Sequence, residues 1–268
     1  VMRAFMSIFK LRMIAGLQYR TAAIAGLITQ LFWGFVLIMV YREFYAAADG
    51  TVPMSLEQVV TYVWLQQSFL FFIMLWHRDQ ELFNLITTGN IAYELCRPSN
   101  LYSFWYAKLL AQRFSGAMLR CFPILIVALI LPAPYRLMPS SGAASLVLFV
   151  ICLLLGLLVL VAVSMFIYIS VFYTMSPTGS VLMFSVVGEF MAGMIIPVPL
   201  MPEWLQGIVR LFPFCWSADF PFRVFSGHIG VQEALQGIAV QCVWLVCLVA
   251  LGKLAMRKAL RKVVVQGG

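Results

Sequence analysis

The chain has 268 residues, of which 63% are hydrophobic and only 10% charged, with a formal net charge of +8 and a mean hydropathy of +0.97. Soluble domains keep their apolar share near half, so this composition excludes one. The basic excess is explained below by membrane topology and does not point to nucleic-acid binding.

Residues Met2–Arg20 read as a helix with Arg3, Ser7 and Lys10 on one face and Phe5, Phe9 and Met13 roughly opposite. Such a segment suits an interfacial helix on the cytoplasmic leaflet, or equally a plain start-of-chain anchor. Arg12 interrupts the apolar face, although its stem can snorkel. A membrane-crossing helix needs about 20 apolar residues. Six stretches supply them: Ala22–Tyr41, Val59–Trp76, Ser115–Leu131, Ala143–Tyr173, Val181–Leu200 and Ala234–Gly252. In lipid every backbone polar group must be paired within the chain, so the spans are helices and the fold is all-α and polytopic. The first span follows a basic segment, as in a signal peptide, but it is too long and lacks a small-residue cleavage site, so it is expected to stay. The fourth is long enough to tilt or to project beyond the bilayer.

Between the second and third spans lies a polar-amphipathic stretch, His77–Pro98. Leu82, Phe83, Leu85 and Ile86 can anchor a short helix at the membrane face, while Asp79, Glu81 and Thr88 point toward water or a partner. Gly89 permits a sharp change of direction, and Pro98 ends the element. Glu94 and Arg97 stand at i and i+3 and can pair on the surface. A plain solvated loop is the bland alternative. The loops Arg42–Leu56 and Pro132–Gly142 are short, and the Thr174–Ser180 link carries no charge.

The fifth span carries Glu189, the one clear ionisable group within the apolar spans. Entry near Ser180 would put it about 14 Å into the bilayer. A functional role and a protonated cap on the broken segment that follows are both open. After Gly193, Pro197, Pro199 and Pro202 cannot continue a helix. Pro202 suits the first turn of a new helix that Pro213 closes. The aromatic run Phe214, Trp216, Phe220, Phe222 and Phe225 belongs at a membrane–water boundary. One or two short helices dipping into the outer leaflet fit the pattern, with a plain interfacial loop as alternative. Non-helical backbone at that depth must be buried in protein or face a wet cavity.

Lys and Arg set the orientation. Fourteen of the 18 fall in the N-terminal segment, the region after the second span and the tail. Arg42, Arg136, Arg210 and Arg223 lie on the other side with Glu43, Asp49, Glu57, Glu203, Asp219 and Glu233. Both termini are therefore expected in the cytoplasm. The six cysteines show no disulfide framework and read as small apolar packers. There is no P-loop, no metal-ligand spacing and no nucleophile elbow, so the chain itself is not expected to be an enzyme or to hold a cofactor. Neither an internal repeat nor a linker is visible, and residues 1–268 read as a single membrane domain.

Taken in order, these features resemble the permease subunit of type-2 ABC transporters. The resemblance rests on the amphipathic N-terminus, six spans with both ends inside, the stretch after span two and the proline-broken segment Gly193–Ile208. Gly89–Pro98 is similar to a branch in which two different permeases pair with one ATPase. The resemblance implies a coupling helix between spans two and three, and a re-entrant outer segment after span five. It implies a dimer of cytoplasmic ABC ATPase subunits holding ATP and Mg, and a second six-span permease, different or identical. It also implies a place in the bacterial cytoplasmic membrane and export of an amphipathic drug, lipid, peptide or glycan. Asp79, Glu81, Leu82, Leu85, Thr88, Gly89, Glu94 and Arg97 would then receive the ATPase. Glu189, Gly193, Pro197, Pro199 and Pro202 would belong to the substrate path or outer gate. Two rivals are an ion-coupled secondary transporter centred on Glu189 and a non-transporting sensor or immunity subunit.

Overall fold

The computed structural model describes residues 20–48, 52–96, 100–140 and 142–261, together with Met6, Ser7, Lys10, Leu11 and Ile14. Most of the expected N-terminal interfacial helix, and also Arg97 and Pro98, lie outside the described residues. The described elements are helical: α1 (Arg20–Ala46), α2 (Leu56–Ser68), α3 (Leu70–Ile73), α4 (Gln80–Thr87), α5 (Ile91–Leu95), α6 (Leu101–Ile130) and α7 (Ala143–Thr174). There follow α8 (Pro177–Met191), a 3₁₀ turn at Val198–Leu200, α9 (Glu203–Arg210), α10 (Pro213–Ser217), α11 (Asp219–Phe225) and α12 (Val231–Leu260).

Four helices among the described residues are long and apolar enough to cross a membrane: Ile24–Ala46, α6, α7 and α12. The second and fifth expected spans take other forms. α2 starts at a capping box, with the Ser55 hydroxyl accepting from the Gln58 amide and the Gln58 side chain accepting from Ser55. The helix breaks at Phe69, and α3 stops at Ile73 rather than Trp76. α8 stops at Met191, because Gly193 takes φ +75° and the prolines follow. The expected Thr174–Ser180 link shrinks to Met175 and Ser176, since Pro177 already opens α8.

The third and sixth spans begin earlier or run further than hydropathy alone indicates. α6 starts at Leu101, where Asn100 caps it by accepting from the Ser103 amide, and not at Ser115. Lys108 and Arg113 are in its first half and find polar partners inside the protein, so charge does not end the helix. α12 continues past Gly252 to Leu260, with Arg257 and Lys258 in its last turn facing the negative end of the helix dipole.

α7 is the centre of the bundle. It carries no charged residue over 32 positions and packs against α12, α11, α10, α8, α6 and α4. A helix apolar all round can be covered by protein or by lipid; protein covers its middle, buried throughout from Val159 to Met165, while Val147, Val150 and Leu154 nearer its start are exposed. α1 lies outside, packed on α2 and α6. Two polar ties lock helices onto α7: the Tyr106 hydroxyl donates to the Leu158 carbonyl (2.7 Å), and Gln241 Nε2 donates to the Cys152 (2.9 Å) and Trp216 (2.6 Å) carbonyls. At about 1.5 Å per residue α7 is roughly 48 Å long, well beyond the ~30 Å hydrocarbon core. The surplus length has an occupant, because α4 docks on its last turns through a Phe83–Tyr168 stack with ring centroids 4.5 Å apart.

Candidate functional sites at the two ends of the bundle

At the end where α7 finishes, Asp79 caps α4. Its Oδ1 accepts from the Glu81 (3.0 Å) and Leu82 (3.4 Å) amides, and its own amide donates to the Tyr168 hydroxyl (2.8 Å). Lys108 reaches across from α6 to Asp79 Oδ2 (3.4 Å) and Glu81 Oε2 (2.8 Å). This corrects one expectation: Asp79 does not point toward water but is 4% exposed, clamped between a helix cap and an ammonium. The reason is energetic, since a carboxylate at a helix N-terminus satisfies orphan amides and opposes the dipole's positive end. Glu81 does face outward at the rim, with its side chain 64% exposed.

Leu82, Phe83 and Ile86 form the buried face of α4, and Leu85 is half-buried. Thr88 is exposed, and its hydroxyl donates back to the Asn84 carbonyl (2.6 Å). Gly89 takes φ +75° with open space where a side chain would be, so the turn into α5 depends on backbone freedom and not on a close approach. In α5, Ile91 is buried, Glu94 half-buried and Tyr93 exposed. The outward face of this helical hairpin is thus Gln80, Glu81, Asn84, Thr88, Asn90 and Tyr93. Tyr93, 75% exposed, was not singled out in the sequence. An aromatic ring on a polar stretch is the signal that could have marked it.

Between this hairpin and the core, Arg113 solves a backbone problem. The break after α3 leaves carbonyls unpaired, and Arg113 Nη1 donates to those of Met74 (2.6 Å) and Phe72 (3.3 Å) while Nη2 donates to the Ser164 hydroxyl (3.0 Å). Arg113 is 3% exposed, so a residue counted among the charges that orient the chain is an internal cap. Next to it His77 packs on Phe71, with ring centroids 4.3 Å apart, and meets Gln112 Nε2 at 3.1 Å. Burial first, then the Arg113 and Arg120 guanidiniums, push the His77 pKa down to about 4.

At the opposite end the proline-broken segment is held by side chains. The Tyr62 hydroxyl donates to the Gly193 carbonyl (3.0 Å), Gln66 Nε2 donates to that of Met194, and the Tyr41 hydroxyl donates to that of Ile195 (3.3 Å). Three consecutive carbonyls that left the helix at Met191 are thereby satisfied by α1 and α2, as a backbone without water requires. Asp219, fully buried, ties the rest. Its Oδ1 accepts from the Val198 amide (3.0 Å) and lies 3.2 Å from the Tyr62 hydroxyl, whose one proton it shares with the Gly193 carbonyl, and its Oδ2 accepts from Arg223 Nε (2.7 Å). Gly193 is forced to be glycine twice over, by φ +75° and by an added Cβ that would stand 2.6 Å from the Tyr62 hydroxyl.

Pro197 and Pro199 are buried beneath α9–α11, whereas Pro202 is exposed at the start of α9. α10 reaches deep along the bundle: the Ser217 carbonyl lies where a Cβ on Gly156, near the midpoint of α7, would be (2.5 Å). The short helices expected after the fifth span are therefore packed in protein and are not a plain surface loop. Glu189, in the last turn of α8, is half-buried against the Leu75 amide, with Oε1 buried and unpartnered among the described residues. Its backbone carbonyl accepts from the Met194 amide (3.0 Å), next to Gly193. Asp219, Tyr62, Gln66 and Tyr41 were missed as site residues. The signals were present as polar groups inside an apolar span and an Asp–Arg pair at i, i+4.

A family model described as ABC-2 family transporter protein matches residues 27–267. No curated protein matches the chain.

Proposed function

The chain belongs to the ABC-2 transporter family, and from that premise we propose that it is a permease of six passes coupled at the α4–α5 hairpin to a separate ABC ATPase. The carrying observation is that this hairpin is rigidly built into the bundle yet turns a polar face outward. Phe83 on Tyr168 and Lys108 on Asp79 and Glu81 connect α4 to the ends of α7 and α6. A push on α4 is therefore transmitted to two long helices as a unit, because packed cores move as bodies and do not deform continuously. The partner ATPase supplies ATP and Mg, and no nucleotide step is assigned to this chain.

In this reading α2–α3 and α8 complete the second and fifth passes, the α4 end is cytoplasmic with both termini, and the Asp219 node closes the outer end. Gly193, Pro197, Pro199 and Pro202 form the outer gate, with Glu189 on the path beneath it. A second permease, different or identical, supplies the other half of the path. Supporting this, α1 exposes Ile24, Ile28, Phe32, Trp33, Met39 and Val40, and α8 exposes Leu182, Met183 and Val186, faces that either lipid or a partner permease can cover. Transport is outward, and the setting is a bacterial cytoplasmic membrane. The family match favours this reading over ion-coupled transport at Glu189 and over a non-transporting sensor.

The test is purification from native membranes. The chain should retain a P-loop ATPase whose hydrolysis changes when the two are co-reconstituted, and Glu81→Lys should weaken that retention. Vectorial transport by this polypeptide alone, dissipated by an uncoupler and indifferent to ATP, would refute it.

A further inference from the structure

A cleft of about 230 Å³ opens beside the Asp219 node, at the end of the bundle opposite α4. Its inner wall carries Arg223, 8% exposed, and its rim carries Arg210 and Glu233, both exposed. Trp216, Phe220 and Val240 supply apolar lining. Arg223 spends only Nε on Asp219. Its Nη1 and Nη2 have no hydrogen-bond partner among the described residues, and the side chain lines the cleft. A nearly buried guanidinium presenting two parallel donors is the geometry that takes a phosphate or carboxylate as a fork. Arg210, held by its own bond to Gln206 Oε1 (3.1 Å), adds a second positive charge at the rim.

Glu233 excludes a purely anionic guest. It lies on the same lining as Arg210, and Arg223 is already paired with Asp219, so the lining is balanced in charge and a simple phosphate would bring a negative charge with no cation of its own. A guest with a cation next to its anion satisfies both signs. The apolar part of the guest also has a track. On α12, Glu233, Gln236 and Val240 line the cleft, and the same line continues at helical spacing into Val243 and Cys247, both exposed. A largely apolar cleft with a few charged groups at one end, running into exposed apolar residues of α12, is the profile of a molecule with a head and a tail.

We propose that this cleft is a headgroup site for a zwitterionic phospholipid-like amphiphile, with its phosphate on Arg223 and Arg210, its ammonium on Glu233, and its tail along α12. The site rests on the transport reading only in making that amphiphile the class of cargo released at this end.

The experiment measures lipid retention by native mass spectrometry of the full chain, purified from mixed micelles containing equal phosphatidylethanolamine and phosphatidylglycerol. The wild type should retain phosphatidylethanolamine about tenfold over phosphatidylglycerol, the ratio that one well-placed charge contact gives. Glu233→Lys, an exposed change that leaves the Asp219 node intact, should reverse the preference. Arg223→Lys should lower retention of both lipids, and Arg210→Ala should give a smaller loss even if Arg223→Lys fails to fold. No preference in the wild type, or an unchanged preference in Glu233→Lys, overturns the site. Displacement of the lipid by soluble phosphoethanolamine at equal concentration overturns the amphiphile assignment, because the tail then contributes nothing. The readout needs no ATPase. Selective retention without a co-purifying ATPase leaves the site standing and sinks the transport reading, and the converse result sinks the site alone.

Discussion

Gly193 and Tyr62 should behave as one structural unit, and a double-mutant cycle can show it. An alanine at Gly193 pays for a left-handed backbone, about 1–2 kcal/mol for a residue with a Cβ. Its Cβ also stands 2.6 Å from the Tyr62 hydroxyl. That hydroxyl must move and surrenders the bond it shares between the Gly193 carbonyl and Asp219 Oδ1, a further loss of about 1–2 kcal/mol. The Gly193→Ala variant should therefore lose about 2–4 kcal/mol. Tyr62→Phe removes the same hydroxyl and strands a buried carbonyl, at about 1–2 kcal/mol. In the double variant the clash is gone and only backbone strain is added, so the two costs should fall short of additivity by about 1–2 kcal/mol. Reversible unfolding in mixed micelles titrated with SDS, followed by tryptophan fluorescence, measures all three. Costs that simply add, or a Gly193→Ala variant within about 0.5 kcal/mol of wild type, would refute the node as described.

Replacing Arg113 by Lys keeps the charge but not the fork, leaving the carbonyls of Phe72 and Met74 to share one ammonium. A loss of about 1–3 kcal/mol in the same unfolding assay is expected, and none if Arg113 merely solvates. His77 stays neutral in the folded protein down to about pH 4, while the unfolded chain takes up a proton near 6.5. The unfolded state thus binds more protons between these values. Stability is full above 6.5, falls as pH drops toward 4 by up to about 3 kcal/mol, and then levels off. His77→Gln should flatten that part of the pH profile, and an unchanged slope would show that His77 titrates normally. Glu81→Lys sets an ammonium against Lys108 in place of a 2.8 Å ion pair. It should weaken ATPase retention about tenfold, the equivalent of about 1.4 kcal/mol. Gly89→Ala fits sterically but not conformationally. About 1 kcal/mol of destabilisation is expected, with ATPase retention reduced less than by Glu81→Lys.

The all-helical architecture was legible from the chain alone, because only helices satisfy a backbone along stretches as apolar as Ala143–Tyr173, and α7 follows that stretch to within one residue. Helix breaks were equally legible wherever backbone chemistry is local. Gly89 turns at φ +75°, Gly193 does the same, and the prolines after it end α8. Partnership across the fold was not legible, since it depends on residues from 21 to 157 positions apart. Asp219 counted as a loop acid, Arg113 as an orienting charge and Asp79 as a solvated rim residue. All three are buried: Asp219 and Arg113 meet backbone groups freed by a break elsewhere in the chain, and Asp79 caps its own helix beneath Lys108. Sequence determined the stops that glycine and proline impose, whereas the break at Phe69, the start of α6 at Leu101 and the end of α12 at Leu260 were decided by the fold. Only the tertiary structure decided which side chains would close those stops, because an unpaired carbonyl in an apolar interior takes a donor from whichever helix packing brings alongside it.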